Sequence, residues 1–140
     1  MNGRENNAFM TLFFHIKKND IAMTAPVEMT YSDQQGQTKQ PIAMSFLYQN
    51  DRLGSPGQDT KVEVVDVLPM TAVSIGLRGN VPQEEVGKAR TRLERWLTQH
   101  ADLYRAAGPL RVLGYNSPFI PTGRRYSEVQ IPVTEHFKNP

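Results

Sequence analysis

Residues 21–31, IAMTAPVEMTY, constrain the fold of this chain more than any other stretch. Ile21, Met23, Ala25, Val27, Met29 and Tyr31 alternate with Ala22, Thr24, Pro26, Glu28 and Thr30, the period of two expected of a strand with one buried face. Pro26 has no amide to give to a ladder, so it belongs at a bulge or on an edge where the sheet bends. By the same reasoning Met23 and Met29, with Met44 further on, point inward as core filler.

The elements around this strand follow from periodicity. Phe9, Leu12, Phe13 and Ile16 recur at helical spacing and predict a helix over 4–17, closed by Lys17, Lys18 and Asn19. The polar segment 32–40 reads as a turn, and Ile42, Met44, Phe46 and Tyr48 repeat the alternation, which predicts a hairpin. Residues 50–60 read as a surface loop, 61–67 and 70–79 as two strands, and 82–104 as a second helix with Val86, Ala89, Leu93, Trp96, Leu97 and Tyr104 on one stripe. Strands over 110–115 and 125–133 complete the chain, joined by NSPFIPTGR.

The order after residue 61 is strand, helix, strand, strand, and before it helix, strand, strand. This predicts an α+β fold built from two βαββ repeats, the first missing its first strand, with an unpaired sheet edge that invites a homodimer. The 140 residues, 1–140, fit a single domain.

Composition removes several classes of function. There is no cysteine, so disulfides, thiolate metal sites and a Cys nucleophile are excluded. The net charge of +2 is scattered, without a basic run that tracks phosphates, and no nucleic-acid partner is expected. No stretch approaches the roughly 18 apolar residues of a membrane span, and Asn-Gly-Arg-Glu-Asn-Asn after Met1 is not a signal-peptide core. As written the chain reads as soluble, with export of a longer precursor left open.

FFHIKKNDIAMTAPVEM at 13–29 resembles the signature of the SOUL haem-binding family, in which a helix ending in an aromatic and Ile runs through a short polar loop into a strand. Tyr115, Ser117-Pro118-Phe119 and RRYSEV at 124–129 resemble the family's second motif. The resemblance extends from about Phe9 onward. It implies a distorted antiparallel β-barrel or sheet with two helices, and non-covalent binding of haem or another tetrapyrrole. The family's axial histidine, where present, lies on the opening strand, which this chain lacks. The resemblance then places the macrocycle between the first helix and the loop joining the last two strands, on Met10, Phe13, Phe14, Lys17 and Lys18, with Phe119, Ile120 and Arg124.

The residue chemistry agrees, since a tetrapyrrole needs a broad apolar surface and cations for its propionates. Phe13 and Phe14 point in different directions on a helix, so one remains after the core is packed. The competing reading is that both aromatic groups simply complete the core. His15 is the candidate axial ligand, imidazole being a common haem ligand, against the plainer reading of a half-exposed helix residue. His100 and His136 show no ligand spacing.

Glu128 shares a strand face with Tyr126 and Gln130, opposite Val129, Ile131 and Val133. It either pairs with Arg78, Arg124 or Arg125 or serves as a general base or cation site. The leading expectation is non-catalytic tetrapyrrole binding as carrier, buffer or sensor. The alternative is a resemblance in architecture to GyrI-like domains, implying small-molecule binding or hydrolysis in a cleft formed by Tyr115, Tyr126 and Glu128.

Overall fold

The computed structural model describes residues 3–23, 26–31, 42–49, 53–59, 61–116 and 120–136. Helix α1 (Gly3–Lys18) precedes strands β1 (Val27–Thr30), β2 (Ala43–Phe46), β3 (Gly57–Asp59), β4 (Val62–Val64) and β5 (Thr71–Arg78). Helix α2 (Gln83–Gln99) then leads to β6 (Tyr104–Ala106), β7 (Arg111–Gly114) and β8 (Tyr126–Glu135). The main sheet runs β2-β1-β7-β8-β5, with β6 beside the far end of β8. Every pairing is antiparallel, and β3 and β4 form a separate ribbon. The fold is therefore α+β with an open sheet, and the barrel is not closed.

The predicted repeat is visible in the topology. Strands β1 and β7 pair at the centre, so α1-β1-β2 and α2-β7-β8 extend outward from them. In the second unit β5 precedes α2 and pairs with β8 from Thr71↔Val133 to Arg78↔Tyr126. No strand precedes α1 among the described residues, and β2 ends the sheet.

One face of the sheet carries the core. Val86, Ala89, Leu93 and Leu97 of α2 pack on Val112, Val129, Ile131 and Val133, with Tyr31, Met29, Val73, Ile75 and Leu77 around them. Val129 is fully buried, as a central strand residue beneath a helix should be. Trp96 falls outside this stripe, partly exposed and stacked on His100 at 3.9 Å.

Helix α1 ends as a Schellman motif. The Ile21 amide donates to the Ile16 carbonyl at 2.8 Å and the Asp20 amide to that of Lys17 at 3.2 Å, with Asp20 at φ 55. That position favours glycine, and Asp is among the few L-residues that tolerate it.

Several expected boundaries move. The second helix stops at Gln99, and Tyr104 enters β6, because β7 covers only Ser127–Gln130 of the ten-residue β8 and leaves its far end to be paired. The loop at 50–60 contains β3, paired to β4. The first strand begins at Val27, so Pro26 lies before its ladder, and Met23 is exposed and not core. The 32–40 turn lies outside the described residues.

Candidate functional site

Candidate side chains gather in several places among the described residues. The first is the outer face of α1. Ile16 is buried, and Phe13 turns inward, stacked on Phe9 at 6.2 Å between ring centroids, while Phe9 meets Phe46 of β2 edge-on at 5.1 Å. Packing one face against β2 necessarily turns residues 10 and 14 outward, since a helix repeats every 3.6 residues. Met10 is 42% exposed and Phe14 61% exposed. Lys17 and Lys18 follow Phe14 by three and four positions, on the same side. Both are exposed, and the Lys17 ammonium lies 5.7 Å from the Phe13 ring centre.

The residues expected from the β7-β8 loop form a separate group. Phe119 lies outside the described residues. Ile120 is half-buried and its carbonyl accepts from Arg125 Nε at 2.7 Å. Arg124 is exposed at the end of a 3-10 turn, Thr122–Arg124, which Arg78 Nε fastens to β5 through the Gly123 carbonyl at 3.1 Å.

A second site lies on the sheet face away from α2. Tyr115 Oη donates to Glu128 Oε1, Ser74 Oγ to Oε2 at 2.6 Å, and Gln130 Nε2 to the same oxygen at 2.8 Å. These bonds, that of Ser74 foremost, hold the Glu128 carboxyl below its ordinary range. The same carboxylate pushes the Tyr115 phenol up to about 12. Gln130 Oε1 accepts from Arg111 Nε at 2.9 Å, and Arg111 Nη1 reaches Glu28 at 3.4 Å. The expected arginine pairing of Glu128 thus gives way to hydroxyl and amide donors, and Arg78 instead lies against the Tyr126 ring at 5.7 Å. Ser74 and Arg111 were missed in the sequence reading, and Gln130 was placed on the Glu128 face without a role. The period-two alternation that set Gln130 beside Glu128 would have placed Ser74 on the same face had the cross-strand register been known.

The third feature is a groove of about 610 Å3 bounded by Leu12, His15 and Ile16 of α1, residues 43–48 along β2, residues 61–67, and Met70. Its floor includes Glu28 and Arg111. His15 Nε2 stands 3.2 Å from Tyr48 Oη, so the imidazole faces this groove, away from the Met10-Phe14 stripe. Burial raises the Tyr48 phenol above its ordinary value. Among the described residues no cluster of His, Asp and Glu is able to hold a metal ion, and no helix is long and apolar enough to cross a membrane.

The sequence matches the family model described as SOUL heme-binding protein over residues 1–132. The chain belongs to the SOUL heme-binding protein family. No curated protein matches it. Membership of this family points to a tetrapyrrole as the small-molecule partner.

Proposed function

We propose that the protein binds haem or a related tetrapyrrole without turnover, as carrier, buffer or sensor, on the outer face of α1. The observation that carries this is the exposure of Phe14 and Met10 one turn apart, with Lys17 and Lys18 beside them. Burying a Phe-sized side chain is worth about 1.5–3 kcal/mol, so a macrocycle laid on this stripe gains more from Phe14 than from any surface ion pair. Lys17 and Lys18 meet the propionates. Phe119, Ile120 and Arg124 join the reading on their composition, as a second apolar and cationic group. His15 faces the groove, so a macrocycle on the stripe is held without it.

The Glu128 cluster supports the non-catalytic reading. A carboxylate already accepting three hydrogen bonds and held below its ordinary range is a poor proton acceptor near neutral pH. The groove, moreover, is bounded by α1, β2 and β4 and is not centred on Glu128.

Hemin titration followed in the Soret band tests the proposal. The expected result is a saturable one-site change that weakens roughly tenfold or more in Phe14→Ala, corresponding to about 1.4 kcal/mol or more. A non-saturating response, or equal affinity in Phe14→Ala, would overturn it.

A further inference from the structure

We propose that Met10 is a site of sulfoxidation by hydroperoxides, and that its oxidation loosens the tetrapyrrole from the outer face of α1. The inference rests on the reading that the macrocycle lies on that face. It adds a modification that regulates the surface.

Cysteine is absent and methionine numbers six, so thioethers are the sulfur groups that the chain offers to a peroxide. Exposure divides those among the described residues. Met29 lies in β1, packed against the core, and Met44 in β2 is partly covered. Met10, Met23 and Met70 are 42%, 41% and 47% exposed. Position then separates these three. Met10 stands one turn before Phe14 on α1. Met23 lies beyond the end of that helix, and Met70 lines the groove just before β5.

The chemistry needs no further protein group. A sulfur lone pair attacks one oxygen of the hydroperoxide, the O–O bond breaks, and the sulfur loses two electrons as it gains that oxygen. The other oxygen takes the hydroperoxide proton and leaves as water or an alcohol. The sulfoxide is polar where the thioether was flexible and apolar. Its oxygen accepts hydrogen bonds from water. A macrocycle face laid over it supplies no donor in return, so that water is lost without replacement. Phe14 keeps its contact, which makes the modified face a weaker site and not a destroyed one.

Exposure also separates this modification from unfolding. A sulfoxide at Met29 would set a polar group against the core. At Met10 the new oxygen stays hydrated while no ligand is bound, so the fold tolerates the change and the ligand surface registers it.

The test uses the full chain, treated with hydrogen peroxide and freed of it with catalase before hemin is added. Mass spectrometry of proteolytic fragments is expected to find sulfoxide at Met10. Soret titration is expected to show hemin affinity lowered roughly tenfold, the scale of an apolar contact replaced by an unpaired polar one, with far-ultraviolet circular dichroism unchanged. Methionine sulfoxide reductases are expected to restore the affinity. Met10→Leu, compared with itself before and after peroxide, should show no change, whereas Met23→Leu combined with Met70→Leu should lose affinity as the parent does. Met10→Gln, which installs a polar acceptor without any oxidant, should bind as weakly as the oxidised parent. Equal affinity before and after oxidation, no sulfoxide at Met10, or an undiminished loss in Met10→Leu would overturn this inference and leave the α1 site standing. Failure of the untreated chain to bind hemin saturably would overturn both.

Discussion

Helix α2 buries Val86, Ala89, Arg90, Leu93 and Leu97, whereas Ile16 is the one fully buried side chain among residues 7–18 of α1. Both helices lead into an antiparallel pair of similar design, so the difference lies in what each helix finds beneath it. Helix α2 rests on β5 and β8, whose inward rows (Val73, Ile75, Leu77 and Val129, Ile131, Val133) make a continuous apolar floor. Helix α1 has β2 and the short β4. The lesson is that the third strand of each unit decides how much of its helix enters the core. Among the described residues the α1 unit shows no such strand, and Met10 and Phe14 of its helix stay exposed.

The largest expected effect tests that asymmetry in stability. Leu110 is 2% exposed within the core, and Leu110→Ala should cost about 2–5 kcal/mol in chemical denaturation. Leu12→Ala, at the groove wall, should cost less than half as much. Equal costs would show that the two units are packed alike.

Next comes the ligand. Phe14→Ala should leave folding stability within about 0.5 kcal/mol of the parent, as for other exposed positions, while weakening hemin binding. The pair of results separates a binding surface from a core residue. A matching loss of stability would mean that Phe14 belongs to the core after all.

The polar face gives a pH signature. Glu128 is held below its ordinary value of 4.5, so its hydrogen bonds add stability above that value and lose it as pH falls through the lowered folded value. Tyr115 is raised from 10.0 to about 12. Its contribution is complete below pH 10 and is lost as pH rises toward 12. Glu128→Gln should flatten both limbs and return the Tyr115 phenolate absorbance transition toward 10, without changing hemin affinity. A hemin defect in Glu128→Gln would move the site to the β8 face.

The smallest effect concerns the end of α1. Asp20 sits at φ 55, where glycine is the unstrained residue. Asp20→Gly should stabilise the chain by roughly 0.5–1 kcal/mol, with slower amide exchange in α1. No change would mean that the α1 end is not limited by backbone strain.

Much of this architecture was legible in the residues because its signals are local. The alternation of Val129, Ile131 and Val133 against Glu128 and Gln130 named both faces of β8. The spacing of Phe9, Leu12, Phe13 and Ile16 likewise named one face of α1, but left open which of Phe13 and Phe14 stays outside it. Long-range pairing was not legible. Nothing near Tyr104 announces that it leaves the helix, since β6 forms only because β8 outruns β7. The donors of Glu128 were hidden for the same reason: Ser74 lies 54 positions away in sequence and reaches the carboxylate only through the β5-β8 register. The groove beside β2 depends on which strand is absent from an edge, and a helical or strand period carries no such information.

The central claim is that the α1 unit receives the tetrapyrrole while the α2 unit serves as scaffold. Hydrogen exchange of the full chain with and without saturating hemin tests it most directly. The account predicts new protection concentrated in residues 9–18, with β5 and β8 unchanged. Protection centred on residues 71–78 and 126–130, with α1 unaffected, would contradict it.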